Sequence, residues 1–258
     1  MAVNRTVKFI VSILLLSLAA TPAVGDSKAG WAPLAKDLEV LRLRIPTDSL
    51  VGNEIVAIRT TLTEYRIEAH RVEGSGRLSA LAAATKRRAV AALNANFFDP
   101  RGEPLGAIVS RGVVVHPLHR GGSLLTAVFQ SSLRDVAIVH RSAFDPRRTV
   151  EAVQIGPRLI ADGALVPGFS RRGEVAARAG VCIDRKGRII FFCSTPEISG
   201  LSFGSLQSVL NEKILDCYDA VAVDGGSSAQ LVANPGAPNQ LTVGTGIPVP
   251  VLLLLVKR

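Results

Sequence analysis

The sequence predicts an α+β fold: a single domain with a mixed β-sheet and a few packed helices. Three observations carry that prediction. The first half alternates apolar and polar residues at strand period, two segments carry apolar residues at helical spacing, and two apolar runs stop abruptly in polar, glycine-containing turns. No stretch has the sustained Pro, Ser or charge bias of a linker, and no internal repeat is evident. The chain therefore divides into residues 1–25, a short segment 26–53 and one domain over 54–258.

Residues 1–25 read as a secretory signal peptide. Arg5 and Lys8 precede an uncharged run from Phe9 to Ala20, and Pro22, Ala23 and Gly25 follow it. The run falls well short of the roughly 20 apolar residues a membrane helix needs. Membrane attachment is thus expected only through an uncleaved signal segment, and the expected location is exported, periplasmic or extracellular.

The elements then follow in order. Leu38–Ile45, Glu54–Thr60 and Tyr65–Val72 alternate as half-buried strands, and the glycines at 74 and 76 close that block. Ser79 stands ahead of the alanine-rich run ALAAATKRR, so a helix is expected from there to near Arg88, with basic residues in its last turn. A strand over Ala89–Ala95 comes next. Cys182 and Cys193 flank an expected hairpin turn at Asp184–Arg188. Leu206, Val209, Leu210 and Ile214 predict a second helix over Ser205–Leu215. Val221 and Val223 mark a buried strand that delivers Asp224, and Val249–Val256, too short to span a bilayer, predicts a core strand.

Charge and composition narrow the partners. Lys and Arg number 30 against 21 Asp and Glu, a formal charge of +9, and loss of Arg5 and Lys8 with the signal peptide would lower it by only two. A basic exported protein favours an anionic partner. Nucleic acid is not expected. Besides Trp31, Tyr65 and Tyr218 the aromatics are nine Phe, the basic residues are scattered, and no nucleic-acid motif is present. Arg171 with Arg172, and Lys86 to Arg88, read as solvated surface.

Three cysteines, Cys182, Cys193 and Cys217, allow at most one internal bridge. Cys182 and Cys193 could approach across their hairpin, and buried thiols are the equal alternative. His70, His116, His119 and His140 have no metal-ligand spacing, so no metal site is assigned and no cofactor is evident.

Four clusters carry the chemistry. NANFFDPRGEPLG (94–106) and DGGSSAQL (224–231) each end a strand, and two such ends can converge on one pocket. QIGPRLIADG (154–163) places Arg158 beside a glycine and a proline. ARAGVCIDRKGRIIFF (177–192) places Arg178 ahead of the hairpin, and an arginine fork suits phosphate or carboxylate. Taken singly each has a plainer reading: Asp224–Gly225 as a hairpin turn, each arginine as a surface ion-pair partner, Asp99 as a cap before Pro100.

Together and in this order the clusters resemble the phosphodiester glycosidase family, over roughly Glu54 to Val256. Asn94, Ala95, Asn96, Phe97 and Phe98 match its first motif, with Gly102, Glu103, Leu105 and Gly106 after them. Gly156 to Gly163, then Arg178 with the turn Asp184–Gly187, then Asp224, Gly225, Gly226 and Ser228 complete the set. Three positions depart from the pattern: Asn96 where glycine is usual, Ser227 for a third glycine, and Ala179 for a threonine.

The resemblance implies cleavage of a sugar 1-phosphate diester at the anomeric carbon, giving free sugar and a phosphomonoester. It further implies a phosphorylated glycan or sugar 1-phosphate diester as partner. An oxocarbenium-like centre needs a carboxylate, for which Asp224 is the candidate, with Glu103 as acid/base partner. The leaving phosphate needs a cation, for which Arg178 is the first candidate and Arg158 the second. Asn94, Asn96, Gly225, Gly226, Ser227 and Ser228 are the candidate substrate-binding residues. Ser228 is not read as a nucleophile, since DGGSSA is not a nucleophile elbow. Two other readings stand beside this one: a noncatalytic envelope protein that binds an anionic glycan, and a metal-dependent phosphodiesterase.

Overall fold

The computed structural model describes residues 30–45, 53–74, 76–132, 135–195 and 200–258. The expected signal peptide at 1–25 lies outside the described residues, as do 26–29 and 46–52 of the segment that follows it.

In chain order, β1 (Ala32–Ala35), β2 (Leu38–Ile45), β3 (Asn53–Thr60) and β4 (Tyr65–Arg71) precede helix α1 (Ala80–Arg87). β5 (Ala91–Asn94), β6 (Ile108–Ser110), β7 (Val113–His116), β8 (Ala127–Ser131) and β9 (Val136–His140) follow. Then come β10 (Glu151–Ile155), β11 (Arg158–Ala161), β12 (Ala164–Leu165), β13 (Ala179–Asp184) and β14 (Ile189–Thr195). Helix α2 (Phe203–Leu210) leads to β15 (Cys217–Ala222), β16 (Gln230–Ala233), β17 (Leu241–Gly244) and β18 (Val251–Lys257).

These strands form three sheets among the described residues, ordered β1-β2-β3-β14-β13-β15-β11-β12, β7-β6-β10-β8-β9 and β17-β16-β5-β18-β4. The α+β class is as expected, but the sheets are antiparallel where a mixed sheet was expected. Parallel pairs need long crossovers, usually helical, and only α1 and α2 are available among the described residues.

Alternation along the strands builds two faces on each large sheet. Val181, Phe191 and Val221 of the first sheet meet Leu93, Leu231 and Leu253 of the third in the main core. The outer face of the first sheet buries Ile160, Ile190 and Ala220 under Leu206, Val209 and Leu210 of α2. The outer face of the third buries Ala92, Leu252 and Leu254 under Ala80, Ala83 and Ala84 of α1. The small sheet closes one side and sends Ile108, Phe129 and Val153 into the same main core.

The caps explain the helix bounds. Ser79 accepts from the Ala82 amide and Arg88 closes α1 in the left-handed region, as expected. Helix α2 begins earlier than its apolar spacing suggests, because Ser202 caps it and accepts from Ser205 N; it ends at Leu210 in turns that reach Leu215.

The cysteines correct one expectation. Cys182 bridges Cys217, at a Cα–Cα distance of 5.7 Å, and not Cys193. In the hairpin Cys182 lies across from Ile190, and Cys193 across from Ala179. Their side chains also enter different cores, Cys193 the main one and Cys182 the one beneath α2.

Candidate active site

The ends of β15 and β5 converge, as the two polar clusters suggest. Asp224 follows β15 and its N–H donates to the Ala95 carbonyl at 3.1 Å, which joins the first sheet to the third. Asn94, fully buried at the end of β5, donates its side-chain amide to the Asp224 carbonyl at 2.6 Å. Its Oδ1 accepts from Gln230 N at 3.0 Å, so one side chain ties together three strand ends.

Arg178 arrives on the neighbouring strand. In the β13–β15 ladder Gly180 stands across from Ala222, and the ladder continues with Val223 N donating to Ala179 O. The next pair in that register is Arg178 and Asp224, on the face that α2 covers. Register alone puts such opposed residues on one side of the sheet with Cβ atoms roughly 5 Å apart.

The guanidinium is held by neutral groups. Its Nε donates to Leu201 O at 2.8 Å, its Nη2 to Glu174 O at 2.9 Å, and it stacks 3.9 Å above the Phe203 ring centroid. Among the described residues no carboxylate stands within ion-pair distance of it. Burial lowers its pKa, but an arginine stays charged. A buried guanidinium with donors to spare suits an anionic ligand.

Asp224 sits in the complementary environment. Burial pushes its carboxyl above the usual range, while the Ser228 hydroxyl and the Gly225 N–H partly oppose the shift. The turn that follows is shaped by close approach. A Cβ at Gly225 would lie 2.8 Å from Ala177 O, whereas Gly226 has φ +58° and open space around it. Ser228 is buried within a single 3-10 turn over Gly226–Ser228, and the exposed Ser227 accepts at its carbonyl from Thr245 Oγ1 at 2.7 Å.

The remaining candidates are placed differently. Asn96 is buried and its Nδ2 donates to Gly106 O at 3.1 Å; its Oδ1 has no partner among the described residues. Arg158 opens β11 and pairs with Asp219, five positions before Asp224 on the chain, so the structure does not bring it to Asp224. Glu103 lies in the loop after β5 and pairs with Arg71 at 2.8 Å; no hydrogen bond links it to Asp224 or Arg178. Asp99 accepts from Glu103 N at 2.9 Å, the turn-capping contact that the Asp-Pro dipeptide suggests.

Sequence reasoning missed Phe203, Leu201 and Gln230. A signal existed for Phe203, the first residue after the Ser202 cap. Gln230 had none, since its role depends on Oε1 accepting from Ala80 N and Nε2 donating to Ile247 O. No group of three or more His, Cys, Asp or Glu able to hold a metal occurs among the described residues.

Half-buried Asp224 and buried Arg178, opposed in register at the shared end of two antiparallel strands where two sheets meet, make a candidate polar site in an α+β fold. The chain belongs to the phosphodiester glycosidase family, whose model matches residues 87–255. The zebrafish N-acetylglucosamine-1-phosphodiester alpha-N-acetylglucosaminidase catalytic domain, auto-inhibited by its pro-peptide, shares the fold at a TM-score of 0.64 and 18% identity, over 89% of this chain and 87% of that one. A hypothetical protein from Synechocystis shares it at 0.63 and 16% identity, over 91% of this chain; this chain spans 64% of that protein's. No curated protein sequence matches the chain.

Proposed function

We propose that the protein is an exported glycosidase that hydrolyses a sugar 1-phosphate diester at the anomeric carbon. The bond between that carbon and the phosphate oxygen breaks, water supplies the new hydroxyl, and free sugar and a phosphomonoester leave. The observation that carries this reading is Arg178 set opposite Asp224 in the strand register, its guanidinium within ion-pair distance of no carboxylate among the described residues. Such a guanidinium is available to neutralise a departing phosphate. Asp224 stabilises the positive anomeric centre from the sugar side, as nucleophile or as base for water.

Asn94 orients the Asp224 main chain, the Gly225 N–H and the Ser228 hydroxyl hold its carboxyl, Gly226 shapes the turn, and the exposed Ser227 offers its hydroxyl to the phosphate. Asn96 lines the same cluster. Glu103 serves as acid/base partner once its pairing with Arg71 is released, and Arg158 acts indirectly, by bracing β11 against β15. The Cys182–Cys217 bridge supports export, because such bridges persist in oxidising compartments. No helix of the described residues is long and apolar enough to cross a membrane.

Time-resolved NMR of the purified protein on a panel of sugar 1-phosphate diesters tests the reading. Free sugar plus phosphomonoester, lost in Asp224→Asn, is the expected result; sugar phosphate would indicate phosphorus–oxygen cleavage instead, and binding without turnover would indicate a noncatalytic binder.

A further inference from the structure

A cavity of about 440 Å3 lies beside the edge strand β4, lined by Glu68, His70, Arg71, Arg87, Ser110 and Arg111 among others. Its size falls within the roughly 300–1,000 Å3 typical of small-molecule sites. It is distinct from the Asp224 cluster but connected to it. Asp224 N donates to Ala95 O, Ala95 N donates to Val251 O, and Val251 is in register with Arg71. Three strand spacings of about 4.8 Å put the Arg71 backbone roughly 14 Å from Asp224.

The cavity holds more donors than acceptors. Each guanidinium carries five N–H donors. Arg71 and Arg87 each spend one on a carboxylate, of Glu103 and Glu68 respectively, and the Arg111 guanidinium makes no hydrogen bond or ion pair with any described residue. Arg87 Nε is buried with no acceptor among the described residues. The carboxylates, by contrast, are committed. Glu68 is almost wholly buried and faces Arg87, Arg66 and His70, while Glu151, just beneath the cavity, accepts from Ala69 N at 2.9 Å and Arg111 N at 3.0 Å. The other lining carboxylate, Glu73, is on the exposed rim. Burial, and then the Arg87 charge, hold the His70 imidazole below its usual range, so it adds no further cation at neutral pH.

We propose that this cavity is a second binding site, specific for a phosphate or carboxylate group carried on a saccharide or free in solution, held by Arg111, Arg71 and Arg87. The site follows from the unspent guanidinium donors and the buried orphan at Arg87 Nε, and binding can be read without turnover. It therefore stands or falls separately from the glycosidase reading.

The test is a backbone-amide NMR titration of the full protein with inorganic phosphate, glucose 6-phosphate and, as neutral control, glucose. Saturable shifts at Arg71, Gly74 and Arg111 with the two phosphates but not with glucose are expected, unchanged in Asp224→Asn. Arg111→Gln, at an exposed position, should weaken binding about tenfold, a change of ~1.4 kcal/mol. Equal affinity for the two phosphates would identify the anion alone as the ligand, and tighter binding of the sugar phosphate would add the saccharide; both support the site. Equal response to glucose, no saturation, or unchanged affinity in both Arg111→Gln and Arg71→Gln would overturn it. Shifts confined to residues 225–228 would overturn it too, while leaving the glycosidase reading intact.

Discussion

The Asn94 side chain donates to the Asp224 main-chain carbonyl at 2.6 Å, across 130 residues of sequence, and so holds the candidate carboxylate from behind. Asn94→Ala would orphan that buried carbonyl and the Gln230 N–H together. We expect a loss of about 2–5 kcal/mol in folding stability by denaturant titration. Asn94→Asp keeps the acceptor for Gln230 N but loses the donor to Asp224, so its activity should fall more than its stability.

Asp224→Asn should lower turnover by on the order of 10²–10⁴. The same substitution should not destabilise the fold at neutral pH. Burial raises the Asp224 pKa in the folded state, so between the ordinary carboxylate value and the raised one the folded chain holds a proton that the unfolded chain has released. Stability then falls as pH rises through that window and stays lower above it. The variant escapes this loss, and denaturation midpoints at about pH 3 and pH 7 would show the gain only at the higher pH. A variant less stable than the parent at pH 7 would contradict the assignment of burial as the dominant cause.

Arg178→Lys keeps the charge but cannot reproduce the two carbonyl contacts and the stacking on Phe203. We expect kcat to fall by about 10²–10³. Phe203→Leu leaves the guanidinium in place and removes the ring, so its effect should be smaller, on the order of 0.5–2 kcal/mol. A Phe203→Leu loss equal to that of Arg178→Lys would show that the ring acts on substrate directly.

Gly225 and Gly226 should respond differently to alanine. At Gly225 a methyl group would press on Ala177 O at 2.8 Å, which displaces the strand that carries Arg178. Stability should drop by about 1–3 kcal/mol and activity with it. At Gly226 the space is open and only the positive φ opposes the change, at roughly 1 kcal/mol. Parallel denaturation and rate measurements on the two variants separate crowding from conformational cost.

Much of this arrangement was legible in the sequence, and what was not has a common origin. Alternation placed β2, β3 and β4 nearly to the residue, Ser79 marked α1, and the polar ends of two runs pointed to the meeting of Asn94 with Asp224. These signals are local. The disulfide partner of Cys182, the pairing of Arg158 with Asp219 and of Glu103 with Arg71, and the ring beneath Arg178 all depend on which strand lies beside which, and in what register. A bulge between Ile183 and Asp184 is enough to set Cys217 within reach of Cys182, and no period in the sequence announces it. The small sheet was largely unread, because its strands run only three to five residues and give too few alternations to distinguish.

The position of β18 makes it the keystone of its sheet. This strand lies between β4 and β5, and Val251 accepts from the Ala95 N–H beside Asp224. Without it β4 and β5 have no common neighbour, the main core loses Leu253, and the face beneath α1 loses Leu252 and Leu254. A chain deprived of β18 therefore presents unpaired strand edges and apolar faces, and is prone to associate. Deleting residues 251–257 should thus cost the whole fold.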